Sequence, residues 1–482
     1  MKRIYSIALV LLGLTTAKKA HATILLPRII GHDMVLQANQ RVPIWGTADA
    51  GELITVRFAG QQKQVTADAA GKWKLMLDPM GASTENRDMR ITGSETIVLK
   101  NILVGEVWIC SGQSNMEYAM RKLVKIKPPA NGQPFPKDEV ANANNSNLRI
   151  FLVNRKTLVK SNPDHRDWSV AEDSALRSFS AAGYFFGKAL QQQLKVPVGM
   201  ISTAVPGSRI EPWIPQQAFT AYDLKQEGDP GKFYEPMVAP LVPFAIKGFL
   251  WYQGESNCFL RDTTQYTTKM LALINSWRSA WGNAQLPFYY TQIAPFFYSK
   301  TKDAVVLDTC FEAVFREAQA LGMKIPSTGM VVTTDLNDDL NDLHPSYKWV
   351  IGERLSKWAL ANTYGKNIVY SGPMFASMKR KGNQIEISFK YTGSGLISHD
   401  GKPLNWFSVA GADGKYVAAS AFIKGSKVLV SAPGVKNPTA VKFAFHEAAQ
   451  PNLYNKEGLP ALPFRTDGAL QWTVPAIPSA SL

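Results

Sequence analysis

A serine, a histidine and a set of amide donors, far apart along this 482-residue chain, are the residue types that acyl transfer requires. Ser114 stands in Gly112-Gln113-Ser114-Asn115-Met116-Glu117, where the apolar run Val107-Trp108-Ile109-Cys110 gives way to a segment that reads as a helix over 116–123. A serine on such a strand-to-helix turn is lifted out of the backbone ladder, and main-chain N–H groups converge on its hydroxyl. His344 lies in the acidic stretch Asp335-Leu336-Asn337-Asp338-Asp339-Leu340-Asn341-Asp342-Leu343-His344-Pro345, where a neighbouring carboxylate can fix its tautomer and raise its basicity. Gly207, in Val205-Pro206-Gly207-Ser208-Arg209, offers a main-chain N–H that can approach a ligand closely. Gln253, in Trp251-Tyr252-Gln253-Gly254-Glu255-Ser256-Asn257, offers a side-chain amide. In the chemistry these parts imply, the serine attacks a carbonyl carbon and His344 takes its proton. The N–H groups of Ser114 and Gly207 and the Gln253 amide hold the developing oxyanion.

Other readings of the same residues are weaker. Asp335, Asn337 and Asp339 alternate as calcium ligands do, but the sixth position lacks glycine and the twelfth lacks glutamate. No His or Cys cluster has the spacing of a zinc site. A glycosidase working through two carboxylates would use Glu255 with one of the loop aspartates. A glycan-binding protein with an inactive esterase scaffold is the alternative from outside enzymology.

To bring these segments together the chain needs a sheet whose strand ends meet on one edge. Strand patterns over 104–110, 148–153, 196–203, 246–252, 288–293 and 329–334 alternate with helical patterns over 181–194, 263–281, 309–321 and 346–364. That rhythm implies a parallel sheet covered on both faces, with ligands beyond the carboxyl ends of its strands. The four chemical segments each follow a predicted strand. Polar insertions over 125–147 and 221–235 could overhang that edge. Short alternating runs on either side, over 23–100 and 367–482, predict N- and C-terminal β-sandwich-like modules around an α/β domain over 101–366.

Lys2 and Arg3, an apolar run over 4–14 and Ala20-His21-Ala22 make residues 1–22 a secretory signal peptide by pattern, too short for a stable span. A periplasmic or secreted enzyme without a membrane span in its mature chain is expected. The formal net charge is +15, and residues 1–22 hold four basic and no acidic side chains, leaving +11 beyond them. These charges are scattered, which excludes a dense nucleic-acid footprint and leaves a mild bias toward anionic ligands. Of the three cysteines, Cys110 and Cys258 flank site segments and are the pair expected to bridge if any does.

The segments Gly-Gln-Ser-Asn-Met-Glu at 112–117, Trp-Tyr-Gln-Gly-Glu-Ser-Asn at 251–257 and Asp342-Leu-His-Pro-x-x-Lys-x-x-x-Gly-x-Arg-Leu, together with the ending Asn452-Leu-Tyr-Asn, resemble blocks of the sialate O-acetylesterase family. That family is a carbohydrate-esterase branch of the SGNH (GDSL-like) hydrolases. The resemblance implies an α/β fold: an SGNH-hydrolase-like three-layer α/β/α domain flanked by the two β-modules. It implies Ser114 as nucleophile, His344 as base, Asp342 as supporting acid (with Asp339 and Asp335 open), and Gly207 and Gln253 completing the oxyanion hole. The implied substrate is an O-acetylated sugar, most often O-acetylated sialic acid, with acetylated xylan the rival, and the resemblance implies no metal and no organic cofactor. Arg209, Trp213, Glu255 and Asn115 are the substrate-binding candidates, the arginine because a guanidinium fork suits a sialate carboxylate.

Overall fold

The computed structural model describes residues 23–126, 128–129, 135–153, 158, 162–301 and 306–475. The expected signal peptide and part of the 125–147 insertion lie outside them. Short strands come first: β1 (Val35–Gln37), β2 (Val42–Thr47), β3 (Leu53–Phe58), β4 (Gln61–Thr66), β5 (Lys72–Leu77) and β6 (Ser83–Thr92). Then follows β7 (Thr96–Gly112), a single strand of 17 residues. Its first half pairs antiparallel with β6, as part of the N-terminal module. From Ile102 onward every residue of β7 is buried, as a strand covered on both faces must be.

The second half of β7 is the middle of the main sheet. With β8 (Leu148–Val153), β9 (Trp168–Val170), β10 (Val198–Ala204), β11 (Gly248–Tyr252), β12 (Phe288–Thr291) and β13 (Thr328–Val331) it gives the order β13-β12-β11-β7-β10-β8-β9. All pairs are parallel except β8 with the edge strand β9. The mixed α/β architecture, a mostly parallel sheet with added β-modules, is the one anticipated. The boundary expected at residue 100, however, falls inside β7, so the N-terminal module and the central sheet share a strand.

Alternate residues of the central strands feed two cores. Ile109, Phe249 and Trp251 pack with the helix Thr264–Ala280 and run on into Ile44, Val56 and Ile91 of the N-terminal module. Trp108, Cys110, Leu250 and Tyr252 pack with the helices Ala181–Leu194 and Lys348–Asn362. This division corrects the disulfide expectation. Cys110 belongs to one core and Cys258 to the other, and all three thiols are free.

The C-terminal strands form two four-stranded sheets, one led by Met374–Lys381 and Gln384–Lys390, the other by Phe407–Ala410 and Ala440–Phe443, around a core of their own. That module docks on the central domain through the Arg465–Glu317 ion pair at 2.9 Å and through Glu447, which accepts the Ser299 N–H at 2.9 Å. The Gln450 amide donates to the carbonyl of Asn337, inside the acidic loop. Among the described residues, no helix is long and apolar enough to cross a membrane.

Candidate active site

The site gathers at the carboxyl edge of the central strands. β7 stops at Gly112, whose φ is +140°. A Cβ there would lie 2.1 Å from the carbonyl oxygen of Tyr252 on the neighbouring strand, so only glycine lets the two strand ends close. Gln113 follows, donating its N–H to that same Tyr252 carbonyl at 3.0 Å, while its side-chain oxygen accepts from Gly254 N at 3.3 Å. Ser114 then opens a short helix, Ser114–Glu117. The continuous helix expected over 116–123 is instead broken at Tyr118-Ala119, where Ala119 bridges to Ser180, and resumes as a 3₁₀ turn at Met120–Lys125.

His344 reaches Ser114 across 230 residues of chain, its Nε2 standing 2.8 Å from the serine Oγ. The Asp342 carboxylate accepts the main-chain N–H of His344 at 2.8 Å but is 3.9 Å from the ring Nδ1. The other loop aspartates are committed elsewhere. Asp335 is forked to Arg354 at 2.8 and 2.6 Å, and Asp339 accepts from Asn341. Asp342 is therefore the loop carboxylate that approaches the imidazole. Burial lowers the His344 pKa, reinforced by Lys348 and by Lys122 and opposed by Asp342. The ring is held in its neutral, proton-accepting form.

Beneath this pair lies a buried polar chain. The Asn115 amide donates to Glu255 Oε1 at 2.5 Å and to the Leu343 carbonyl at 3.1 Å, and its oxygen accepts from Lys348 Nζ at 2.7 Å. Asn115 and Glu255 are each 1% exposed, so they buttress the turn that carries Ser114 and do not line a sugar subsite. Burial raises the Glu255 pKa. At 1% exposure Glu255 is out of reach of a glycosidic bond, which argues against the glycosidase reading. Lys348 carries no role in the sequence reading, although it stands four residues after His344 in the third motif; a lysine there reads as an exposed helix residue until the fold buries it.

Gly207 has φ +69° in a turn pinned over the end of β7, where Val205 N donates to the Gly112 carbonyl at 3.0 Å. No described residue accepts the Gly207 N–H in a backbone hydrogen bond. Ser114, as the first helical residue, has no intrahelical acceptor for its own. Gln253 departs from expectation. Its amide nitrogen donates to the Ser208 carbonyl at 3.2 Å and to Asn257 Oδ1 at 2.7 Å, and its oxygen accepts from Tyr266. With both hydrogens engaged and no exposure, it supports the turn that carries Gly207 from below. Asn257 continues that scaffold to Glu211 and Asp262, which flank the buried ammonium of Lys269 at 2.6 and 2.7 Å.

Trp213 is also corrected. It is fully buried, donates to Ser208 Oγ at 3.0 Å and packs edge-on against Trp251, so it is core and not a stacking platform for sugar. Arg209 is half-buried, and the nearby Glu211 carboxylate pairs with Lys269. Among the described residues no group of three or more His, Cys, Asp or Glu side chains could hold a metal ion.

The comparisons with known proteins agree with this geometry. A family model described as carbohydrate esterase, sialic acid-specific acetylesterase matches residues 104–361, more than half of the chain. The chain is 28% identical over 388 residues to the human sialate O-acetylesterase, covering 72% of each, and 26% identical over 417 residues to the mouse protein of that name, covering 72% of this chain and 74% of that one. The crystal structure of a carbohydrate acetylesterase from Xanthomonas citri superposes with a TM-score of 0.82 at 32% identity, covering 92% of this chain and 100% of that one.

Proposed function

The chain belongs to the carbohydrate esterase, sialic acid-specific acetylesterase family and is a carboxylic ester hydrolase, and from that premise we propose that it removes O-acetyl groups from sugars, with Ser114 as nucleophile and His344 as general base. The observation that carries the reading is the 2.8 Å contact between Ser114 Oγ and His344 Nε2. In this mechanism Oγ bonds to the acetyl carbonyl carbon as its proton passes to Nε2. The N–H groups of Ser114 and Gly207 receive the oxyanion, each donor of this kind being worth about 3 kcal/mol. Collapse expels the sugar oxygen, which takes the proton back from His344 and leaves an acetyl-serine. A water molecule, deprotonated by the same imidazole, then releases acetate and restores the serine.

The substrate is an O-acetylated sialic acid. Supporting this are the names of the family and of the mammalian relatives, together with an arginine beside the oxyanion turn that no described carboxylate holds in an ion pair. The pattern of residues 1–22 supports action in the periplasm or outside the cell. The test has two parts. Ser114→Ala should abolish p-nitrophenol release from p-nitrophenyl acetate with an unchanged circular dichroism spectrum; undiminished turnover would end the nucleophile assignment. Acetate release from O-acetylated sialic acid should exceed that from acetylated xylan, and the reverse order would move the substrate to xylan with the mechanism intact.

A further inference from the structure

We infer that Lys348 is a positioning residue of this site: its buried side chain ties the turn that carries Ser114 to the loop that carries His344. The inference deepens the esterase reading and rests on it. Lys348 begins the helix Lys348–Asn362 and has no exposed surface. Its Nζ donates to Asn115 Oδ1 at 2.7 Å, one residue past the nucleophile, and to the Pro345 carbonyl at 2.6 Å, one residue past the base. The ammonium also lies 5.0 and 5.2 Å from the ring centroids of Tyr118 and Tyr252, which close its slot. One atom thus bridges two segments that are otherwise 230 residues apart in sequence.

A lysine is a poor choice for this slot unless both bonds matter, because desolvating an ammonium is costly. The largest compensating charge is Glu255, linked to Lys348 through Asn115, with Asp342 adding support and Lys122 opposing it. Burial brings the Lys348 pKa down to about 7. The neutral amine still carries two hydrogens, enough for both acceptors, so the tie persists through its titration. The competing explanation is charge balance alone, in which Lys348 exists to neutralise Glu255.

The test compares Lys348→Met with the double variant Lys348→Met/Glu255→Gln, which removes both charges. Each is assayed for kcat and KM on p-nitrophenyl acetate, for the rate of Ser114 labelling by a fluorophosphonate, and for thermal midpoint. Positioning predicts that kcat and labelling fall about 10²-fold in both variants, KM moving less than about threefold, while the double variant regains thermal midpoint without regaining rate. Recovery of stability and rate together in the double variant would overturn the inference, as would wild-type kcat in Lys348→Met. Should Lys348→Met not fold, Lys348→Arg takes its place. The guanidinium keeps a charge for Glu255 but cannot reproduce the compact ammonium on both oxygens, so kcat must still fall, and full rate overturns the inference. Failure of the esterase reading looks different: the wild-type protein would resist labelling, or Ser114→Ala would accept it.

Discussion

The Asp342 carboxylate holds the main chain of His344, at 2.8 Å, more closely than it holds the imidazole, at 3.9 Å from Nδ1. This carboxylate therefore shapes the loop first and faces the ring second. Asp342→Asn keeps a main-chain acceptor and should lower kcat only roughly tenfold, against the roughly 10⁴-fold loss where such a carboxylate is bonded to the ring. His344→Gln should abolish activity. Steady-state kinetics on p-nitrophenyl acetate separates the two, and equal losses would mean that Asp342 closes on Nδ1 once substrate binds.

The pH profile follows from the same neighbourhood. Burial, then Lys348 and Lys122, hold the His344 pKa below its ordinary 6.5 despite Asp342. The base works when neutral, so a lowered pKa extends activity toward acid, and the acid limb of kcat/KM should lie below pH 6.5. Lys122→Gln removes a cation and should move that limb to higher pH. Asp342→Asn removes an anion and should move it to lower pH. A limb above 6.5 in the wild type would contradict the assignment of His344 as base.

Arg209 separates substrate recognition from chemistry. Arg209→Gln should raise KM about tenfold or more for an acetylated sialic acid, the usual scale for a lost charged hydrogen bond, with p-nitrophenyl acetate turnover unchanged. An equal effect on both substrates would make the arginine a structural element of the 205–211 turn.

Two glycines with positive φ make opposite predictions. Gly112→Ala must place a methyl against the Tyr252 carbonyl and should cost about 3 kcal/mol or more, seen as a lost or sharply lowered urea midpoint. At Gly207 an added Cβ meets nothing within 4 Å, so Gly207→Ala should lose only about 1–2 kcal/mol of backbone preference. Similar midpoints for the two variants would show that the strand ends can part.

What the sequence made legible was periodic or chemical. Buried parallel strands leave apolar runs, and strand ends carry the polar segments, so Ser114 and His344 could be paired before any coordinates. Side-chain commitments could not. Gln253 and Trp213 look available from their neighbours in sequence, yet each also meets a partner from a distant segment, the Ser208 carbonyl for Gln253 and the Trp251 ring for Trp213. Lys348 was hidden for the opposite reason: its burial depends on Asn115, Tyr118 and Tyr252, none of them near it in the chain. The disulfide reading failed because adjacency to a site says nothing about which face of a sheet a thiol takes.

The 17-residue strand β7 also limits how this enzyme can be rearranged. Its first half completes one module and its second half leads into the Ser114 turn, so no cut between them leaves both parts whole. An esterase begun at residue 101 would present unmatched backbone where β6 had lain, an invitation to self-association. The amino-terminal module is thus less an appendage to be shuffled among enzymes than the anchorage of the rail on which Ser114 is mounted.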